Sequence, residues 1–237
     1  MNQVKVVREK VELAVADGTR MMAYVAAPEE AGPHAGLLVF QEAFGVNHHI
    51  RDVTARFAAQ GYVAIAPELF HRTAPPGFEV SYTDFPSVMP HMQAVTTETA
   101  GADIRAAYEW LQSSSKAKES EISSIGFCMG GRVSFIANTI VPLRAAVSFY
   151  GGGIAQGLLD RVPKLQGPSL FVWGGLDKHI TPEQRKSVTA ALSEHKKIYV
   201  NAEFSRADHG FFCDERAAYE PQSARQAWAL TLEFLRS

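Results

Sequence analysis

The sequence predicts an α/β fold: a mostly parallel central sheet with helices on both faces, entered through an antiparallel N-terminal hairpin. Three observations carry this. Short continuous apolar runs, AGLLVF at 35–40, YVAIA at 62–66 and SLFVW at 169–173, suit strands buried on both faces. Stretches with helical apolar periodicity separate such runs, which is the signature of repeated βα units. The chain also opens with alternation over 11–16, turn chemistry at Asp17-Gly18 and an extended continuation over 20–26. The 237 residues fit a single domain, 1–237, because α/β folds often run to about 250 residues as one unit.

The elements follow in order. A helix is expected over 51–60, with Asn47 as a cap before it and Gly61 just past its end. Residues 67–91 carry Pro67, Pro75, Pro76, Gly77, Pro86 and Pro90, which predict a long loop with no regular element. Phe70, Phe78, Tyr82 and Phe85 in that loop suit a pocket wall. The alternative is a surface loop packed on its own side chains. A helix over 96–112 places Ile104, Ala107, Tyr108 and Leu111 on one face. A strand over 122–127, a helix over 130–140 halted by Pro142, and strands over 145–150 and 169–173 come next. Thr181-Pro182 opens a helix over 181–195, with Gln184 completing a capping box. A strand over 197–202 and a helix over 221–235 close the chain. Ligands on such sheets bind at the carboxyl ends of the strands, so the chemistry belongs just after Phe40, Phe127, Trp173 and Ala202.

Composition excludes several functions. An apolar fraction of 46% with 20% charged residues is that of a globular chain, not a disordered one. Lys and Arg number 23 against 25 Asp and Glu, so the net charge of −2 gives no footprint for nucleic acid. Charges at Lys5, Arg8, Glu9 and Lys10 leave no apolar core for a signal peptide, and no run approaches a bilayer span. Two cysteines, Cys128 and Cys213, make no disulfide framework. A cytoplasmic enzyme or binding protein without a membrane partner is the expected class.

Four segments carry chemistry. Gly126-Phe127-Cys128-Met129-Gly130-Gly131 reads as a nucleophile elbow, a strand-to-helix turn with Cys where Ser is usual. The turn is tight, so small neighbours are needed, and the thiol sits at a helix N-terminus that favours a thiolate. The Met129 N–H points where an oxyanion would form. Asp177, in Gly174-Gly175-Leu176-Asp177, lies too early to cap the helix at Thr181 and is left to orient a histidine. Of eight histidines, His209 in Ala207-Asp208-His209-Gly210-Phe211 completes the chain order nucleophile, acid, histidine. His48, His49 and His179 are weaker candidates. Gln41-Glu42-Ala43-Phe44-Gly45 follows the first buried strand, where the second oxyanion donor belongs, and Ala43 N–H fills that place. Glu42 beside it is unusual, because a carboxylate opposes ionisation of a nearby thiol. No His-Glu-x-x-His or Cys/His cluster suggests a metal.

Together QEAFGVNHHIRDV, APELFHR, GFCMGG, WGGLDKHI and DHGFF resemble the dienelactone hydrolase family of α/β-hydrolases, over 41–212. The resemblance implies an α/β-hydrolase fold and a Cys128-His209-Asp177 triad. It implies that Glu42 contacts the nucleophile and helps activate it, and that Arg72 binds a substrate carboxylate. The family's typical reaction opens the enol-lactone ring of a dienelactone. A second carboxylate-binding arginine of the founding members falls here on Cys213, with Arg216 three residues on.

The expected function is therefore a cysteine-dependent hydrolase of lactones or small carboxylic esters. It needs no cofactor, because His209 moves the proton and backbone N–H groups hold the charge. Phe78, Tyr82 and Phe85 would add apolar substrate-binding surface. The alternative is a non-catalytic ligand-binding protein on the same scaffold. A nucleotide-binding role for the glycines at 151–157 fails because the third glycine of G-x-G-x-x-G falls on Gln156. A redox role for Cys128 alone is a further alternative.

Overall fold

The computed structural model describes residues 4–237; residues 1–3 of the charged N-terminal stretch lie outside it. The chain forms two compact units that divide after Ser124. Strand β5, Ala117–Phe127, is shared by chain continuity, with residues 117–124 in the first unit and 125–127 in the second.

The first unit opens with the expected hairpin. Strands β1, Val6–Ala14, and β2, Arg20–Pro28, pair antiparallel from Val6↔Pro28 to Ala14↔Arg20. The turn closes with the Gly18 N–H donating to the Val15 carbonyl at 2.9 Å, and Gly18 takes φ +88°, a left-handed conformation suited to glycine. Strand β3, His34–Phe40, and strand β4, Tyr62–Pro67, are parallel partners, as their apolar runs predict. Helix α1, His48–Ala58, connects them and starts directly after Asn47, whose side chain accepts from the Ile50 N–H at 3.2 Å. The order in this unit is β1-β2-β4-β3-β5. Helix α3, Thr97–Ser113, carries a capping box built from Thr96 and Thr99.

The proline-rich stretch corrects the sequence reading. Where a loop without regular structure is expected, helix α2 runs from Phe85 to Ala94. Pro86 falls in its first turn, where a missing N–H costs nothing, and Asp84 caps it by accepting from the Ser87 N–H. Pro90 is tolerated inside it. The helix buries Val88 against Ala43 and Phe44, with Phe78 and Tyr82 packed on the same cluster.

The second unit contains the remainder. Helix α4, Met129–Ile140, leaves β5; strand β6, Ala146–Phe149, the short helix α5, Ile154–Gly157, and a 3-10 turn, Leu159–Lys164, follow. Strand β7, Ser169–Gly174, helix α6, Pro182–Glu194, strand β8, Tyr199–Phe204, and helix α7, Pro221–Arg236, complete it. The order is β5-β6-β7-β8, with β6–β7 and β7–β8 parallel. Thr181 and Gln184 form the predicted capping box on α6. Among the described residues, no helix is long and apolar enough to cross a membrane.

An ion network centred on the buried Asp103 ties the first unit together. The Arg72 guanidinium donates to both oxygens of Asp103, at 2.9 and 2.8 Å, and through Nε to Asp17 at 2.7 Å. His71 Nε2 lies 3.0 Å from the same Asp103, whose side chain is 1% exposed. The hairpin tip, the segment after β4 and helix α3 are thereby tied to one guanidinium. Arg72→Ala should leave the buried Asp103 carboxylate with His71 alone and cost about 1–3 kcal/mol of stability. Equilibrium denaturation measures this; unchanged stability would show that the network does not hold the unit.

Candidate active site

The second unit brings three expected residues together, on the loops after β5, β7 and β8. The turn from β5 into α4 puts Cys128 at φ 56° and ψ −116°, a strained conformation for a residue with a Cβ. Its neighbours show why the motif is rich in glycine. A Cβ on Gly126 would strike the Gly130 carbonyl, and one on Gly131 would lie 2.6 Å from the Phe149 carbonyl oxygen. The Cys128 N–H donates to that same carbonyl at 3.0 Å, lashing the turn to β6. Cys128 is the N-cap of α4 and is partly exposed, at the positive end of the helix dipole. Met129 is the first residue of the helix, so its N–H has no intrahelical acceptor.

Asp177 and His209 meet because β7 and β8 are adjacent and parallel, in register to Gly174↔Phe204. Past the strands the two loops stay zipped: Gly175 N–H donates to Phe204 at 2.8 Å and Leu176 N–H to Ala207 at 2.9 Å. Both glycines are needed, since a Cβ on Gly174 would sit 2.6 Å from the Ala207 oxygen and one on Gly175 2.6 Å from Ser205 Cα. Asp177 Oδ1 accepts from the His179 and Ile180 N–H groups at 2.7 and 3.2 Å. Its Oδ2 lies 2.8 Å from His209 Nδ1. Burial opposes its charge, but the bond from His209 and the two N–H groups prevail and hold the carboxyl below the ordinary carboxylate range.

His209 is hydrogen-bonded to Cys128 as well as to Asp177. Phe211 and Phe212, the last residues of the DHGFF motif, anchor its loop in an aromatic core. Phe212 stacks on Phe127 at 5.3 Å, and Phe211 lies 6.3 Å from Phe149. The strand that carries Cys128 and the loop that carries His209 therefore share one set of packed rings. His179 is exposed, with its ring 5.2 Å from that of His209. Cys213 is fully buried.

Three residues matter beyond the expected set. Tyr150, fully buried at φ 37°, places its ring 5.1 Å from His209. Nothing in the sequence marks it. Arg132, one helical turn past Cys128, is electrostatically coupled to it. A Cβ on Gly153 would lie 3.2 Å from Arg132 Cδ, so the glycine gives the side chain its place. This signal was visible as an arginine four residues after the candidate nucleophile. Arg216 lies against Gly210, where a Cβ would collide with its guanidinium, beside the residue that follows His209.

The remaining expected residues lie in the first unit. Glu42 and Ala43, both buried, occupy the turn after β3. Phe44 gathers the aromatics: its ring is 4.9 Å from Tyr82 and 6.5 Å from Phe85, while Phe78 packs on the same cluster. Asn47 Nδ2 donates to the Tyr82 hydroxyl at 2.9 Å. Arg72 has its guanidinium engaged by Asp103 and Asp17.

The family model for the dienelactone hydrolase family matches residues 21–237. The chain belongs to this family. A Synechocystis sp. protein named "Putative carboxymethylenebutenolidase" is 36% identical over 216 residues, covering 86% of this chain and 87% of its own. One of the same name from Escherichia coli K12 is 32% identical, covering 92% and 83%. The crystal structure called "Putative Dienelactone Hydrolase from Klebsiella pneumoniae subsp. pneumoniae MGH 78578" superposes with a TM-score of 0.89 at 30% identity, covering 98% of this chain and 99% of that one. The fold is the α/β-hydrolase fold, and the protein is a hydrolase of the dienelactone hydrolase type.

The charge pattern around His209 is testable. Burial disfavours the charged ring, but its interactions with Cys128 and with the Asp177 carboxylate outweigh it, and His209 is pushed up to about 10. Its protonation therefore favours the folded state. That contribution is complete below the unfolded value of about 6.5 and is lost as pH rises through the folded value. In an NMR titration the His209 ring should stay protonated well above pH 8, and Cys128→Ala should bring its midpoint down. An ordinary midpoint in the wild type would contradict this charge pattern.

Proposed function

We propose that this enzyme is a cysteine-dependent hydrolase of lactones or small carboxylic esters. The observation that carries the reading is the relay of His209 between Cys128 and Asp177. The Cys128 sulfur attacks the substrate carbonyl carbon, and the carbonyl π electrons move onto oxygen. The N–H of Met129, at the start of α4, stabilises that oxyanion. As the tetrahedral adduct collapses, the C–O bond to the leaving group breaks and His209 gives that oxygen its proton. In a lactone, the freed hydroxyl stays tethered to the acyl chain. A thioester on Cys128 remains. Water then attacks it while His209 takes a proton, and collapse returns the carboxylic acid and the free cysteine. Asp177 fixes the tautomer and stabilises the imidazolium.

Glu42, buried beside Ala43, takes the activating role that the family resemblance implies. The aromatic wall of Phe78, Tyr82 and Phe85 supplies apolar contact for the substrate, with Phe85 46% exposed and available to it. Asp103 and Asp17 already occupy the Arg72 guanidinium, which leaves it ill placed to bind a substrate carboxylate. The family match runs through both compact units, which supports reading them as one catalytic domain. Two free thiols suit a reducing compartment, and we assign the enzyme to the cytoplasm.

Cys128→Ala should abolish ester hydrolysis, and a thiol alkylating agent should inactivate the wild type. Cys213 is fully buried, so labelling should fall on Cys128. Asp177→Asn should lower kcat by about 10³–10⁴ through loss of the tautomer, with the fold retained. Steady-state rates on a set of lactones and aryl esters read all three. Full activity in Cys128→Ala would refute the assignment. In contrast, His179→Ala should keep most activity, because Asp177 is held by the His179 backbone and not by its ring.

A further inference from the structure

Tyr150 directly follows β6 and takes φ 37°, where a residue with a Cβ is strained. Its N–H donates to the Val172 carbonyl at 2.7 Å, which ties the strained peptide to β7. Glycine adopts such a conformation at no steric cost. A ring stands there instead, and it is fully buried.

The positive φ decides where that ring goes. Successive side chains of a strand point to opposite faces. Phe149 and Tyr150 instead have their rings 6.0 Å apart and share their neighbours. Phe127 lies 5.0 Å from the first and 6.4 Å from the second, and Phe211 lies 6.3 and 5.7 Å away. Tyr150 is thus fixed by rings from β5, from β6 and from the loop that carries His209. Its remaining ring contact is the His209 imidazole, at 5.1 Å and an interplanar angle of 56°.

The imidazole needs such a backing at one stage of the reaction. Before substrate reacts, Asp177 bonds to Nδ1 and Cys128 holds the ring from its other side. Once the sulfur carries the acyl group it has no proton to give, and neutral His209 loses that bond. A single hydrogen bond to Asp177 leaves the ring able to pivot. The His179 ring also lies near, at 5.2 Å, but its side chain is exposed and makes a poor stop. Contact with the Tyr150 ring depends on neither protonation nor acylation.

We propose that Tyr150 is a positioning residue for the hydrolysis: its ring backs the His209 imidazole and keeps it aimed at the attacking water while Cys128 carries the acyl group. This rests on the cysteine-dependent reading given above.

Tyr150→Phe keeps the ring, whereas Tyr150→Leu and Tyr150→Met remove it and retain apolar bulk. Rapid quenching after mixing with an activated aryl ester, followed by peptide mass spectrometry, gives the rates at which acyl mass is gained and lost on Cys128. Misplacing a reacting group by about 1 Å costs about 10²-fold, so loss of acyl mass should slow by about 10–100-fold in the two variants without the ring. Its gain should slow by less than about fivefold, because both hydrogen bonds of His209 are then in place. Tyr150→Phe should keep both rates within about threefold of wild type, since the packing resides in the ring. Normal loss of acyl mass in a folded variant without the ring would overturn the proposal. So would equal slowing of gain and loss, which marks a general structural role, or slow loss in Tyr150→Phe, which would assign the effect to the hydroxyl. A further measurement needs no variant. Wild type alkylated on Cys128 by iodoacetamide also has a sulfur without a proton, and NOEs between the Tyr150 and His209 rings should persist there; their disappearance would overturn the proposal even if neither variant folds. Wild type that never gains acyl mass on Cys128 would instead remove the reading beneath the proposal.

Discussion

The constraint on which the rest depends is the backbone of Cys128. A side chain at φ 56° costs of order 1–3 kcal/mol and persists only where its surroundings leave no alternative. Those surroundings are specific. Gly126 lets the turn close against Gly130, Gly131 lets α4 approach the end of β6, and the Phe149 carbonyl holds the Cys128 N–H. Strain, helix terminus and the proposed nucleophile therefore coincide in one residue. The next strand end shows a related feature: Tyr150, also at positive φ, follows the same Phe149.

Charge is arranged around that residue in a chain. His209 interacts with Cys128 on one side and with Asp177 on the other, with two backbone N–H groups locking the carboxylate from behind. Arg132 adds a cation one turn along α4. The loops that carry this chain are held by backbone bonds and aromatic packing, so little side-chain freedom remains to be lost when the substrate binds. The first unit follows the same economy: Asn47 caps α1 and also holds Tyr82, and Phe44 gathers the aromatic segment onto the turn after β3.

Much of this was legible in the residues. Apolar runs and caps located the strands and helices, because buried strands and capping boxes leave local patterns. Cys128, Asp177 and His209 were legible because glycines and chain order mark strand-end loops. Helix α2 was not, since Pro86 and Pro90 read as breakers until Asp84 is seen to start a helix around them. The engagement of Arg72 was hidden for a different reason. Its partners, Asp17 and Asp103, are 55 and 31 residues away, and no local pattern encodes such a pairing.

The central claim is that the acyl group passes through the Cys128 sulfur. Rapid mixing with an activated aryl ester, acid quenching and peptide mass spectrometry test it most directly. The account predicts an added acyl mass on the peptide containing Cys128, formed within the first turnover and lost as water completes the reaction. Product released with no acyl mass on Cys128 at any time, or the mass found on another residue, would contradict it.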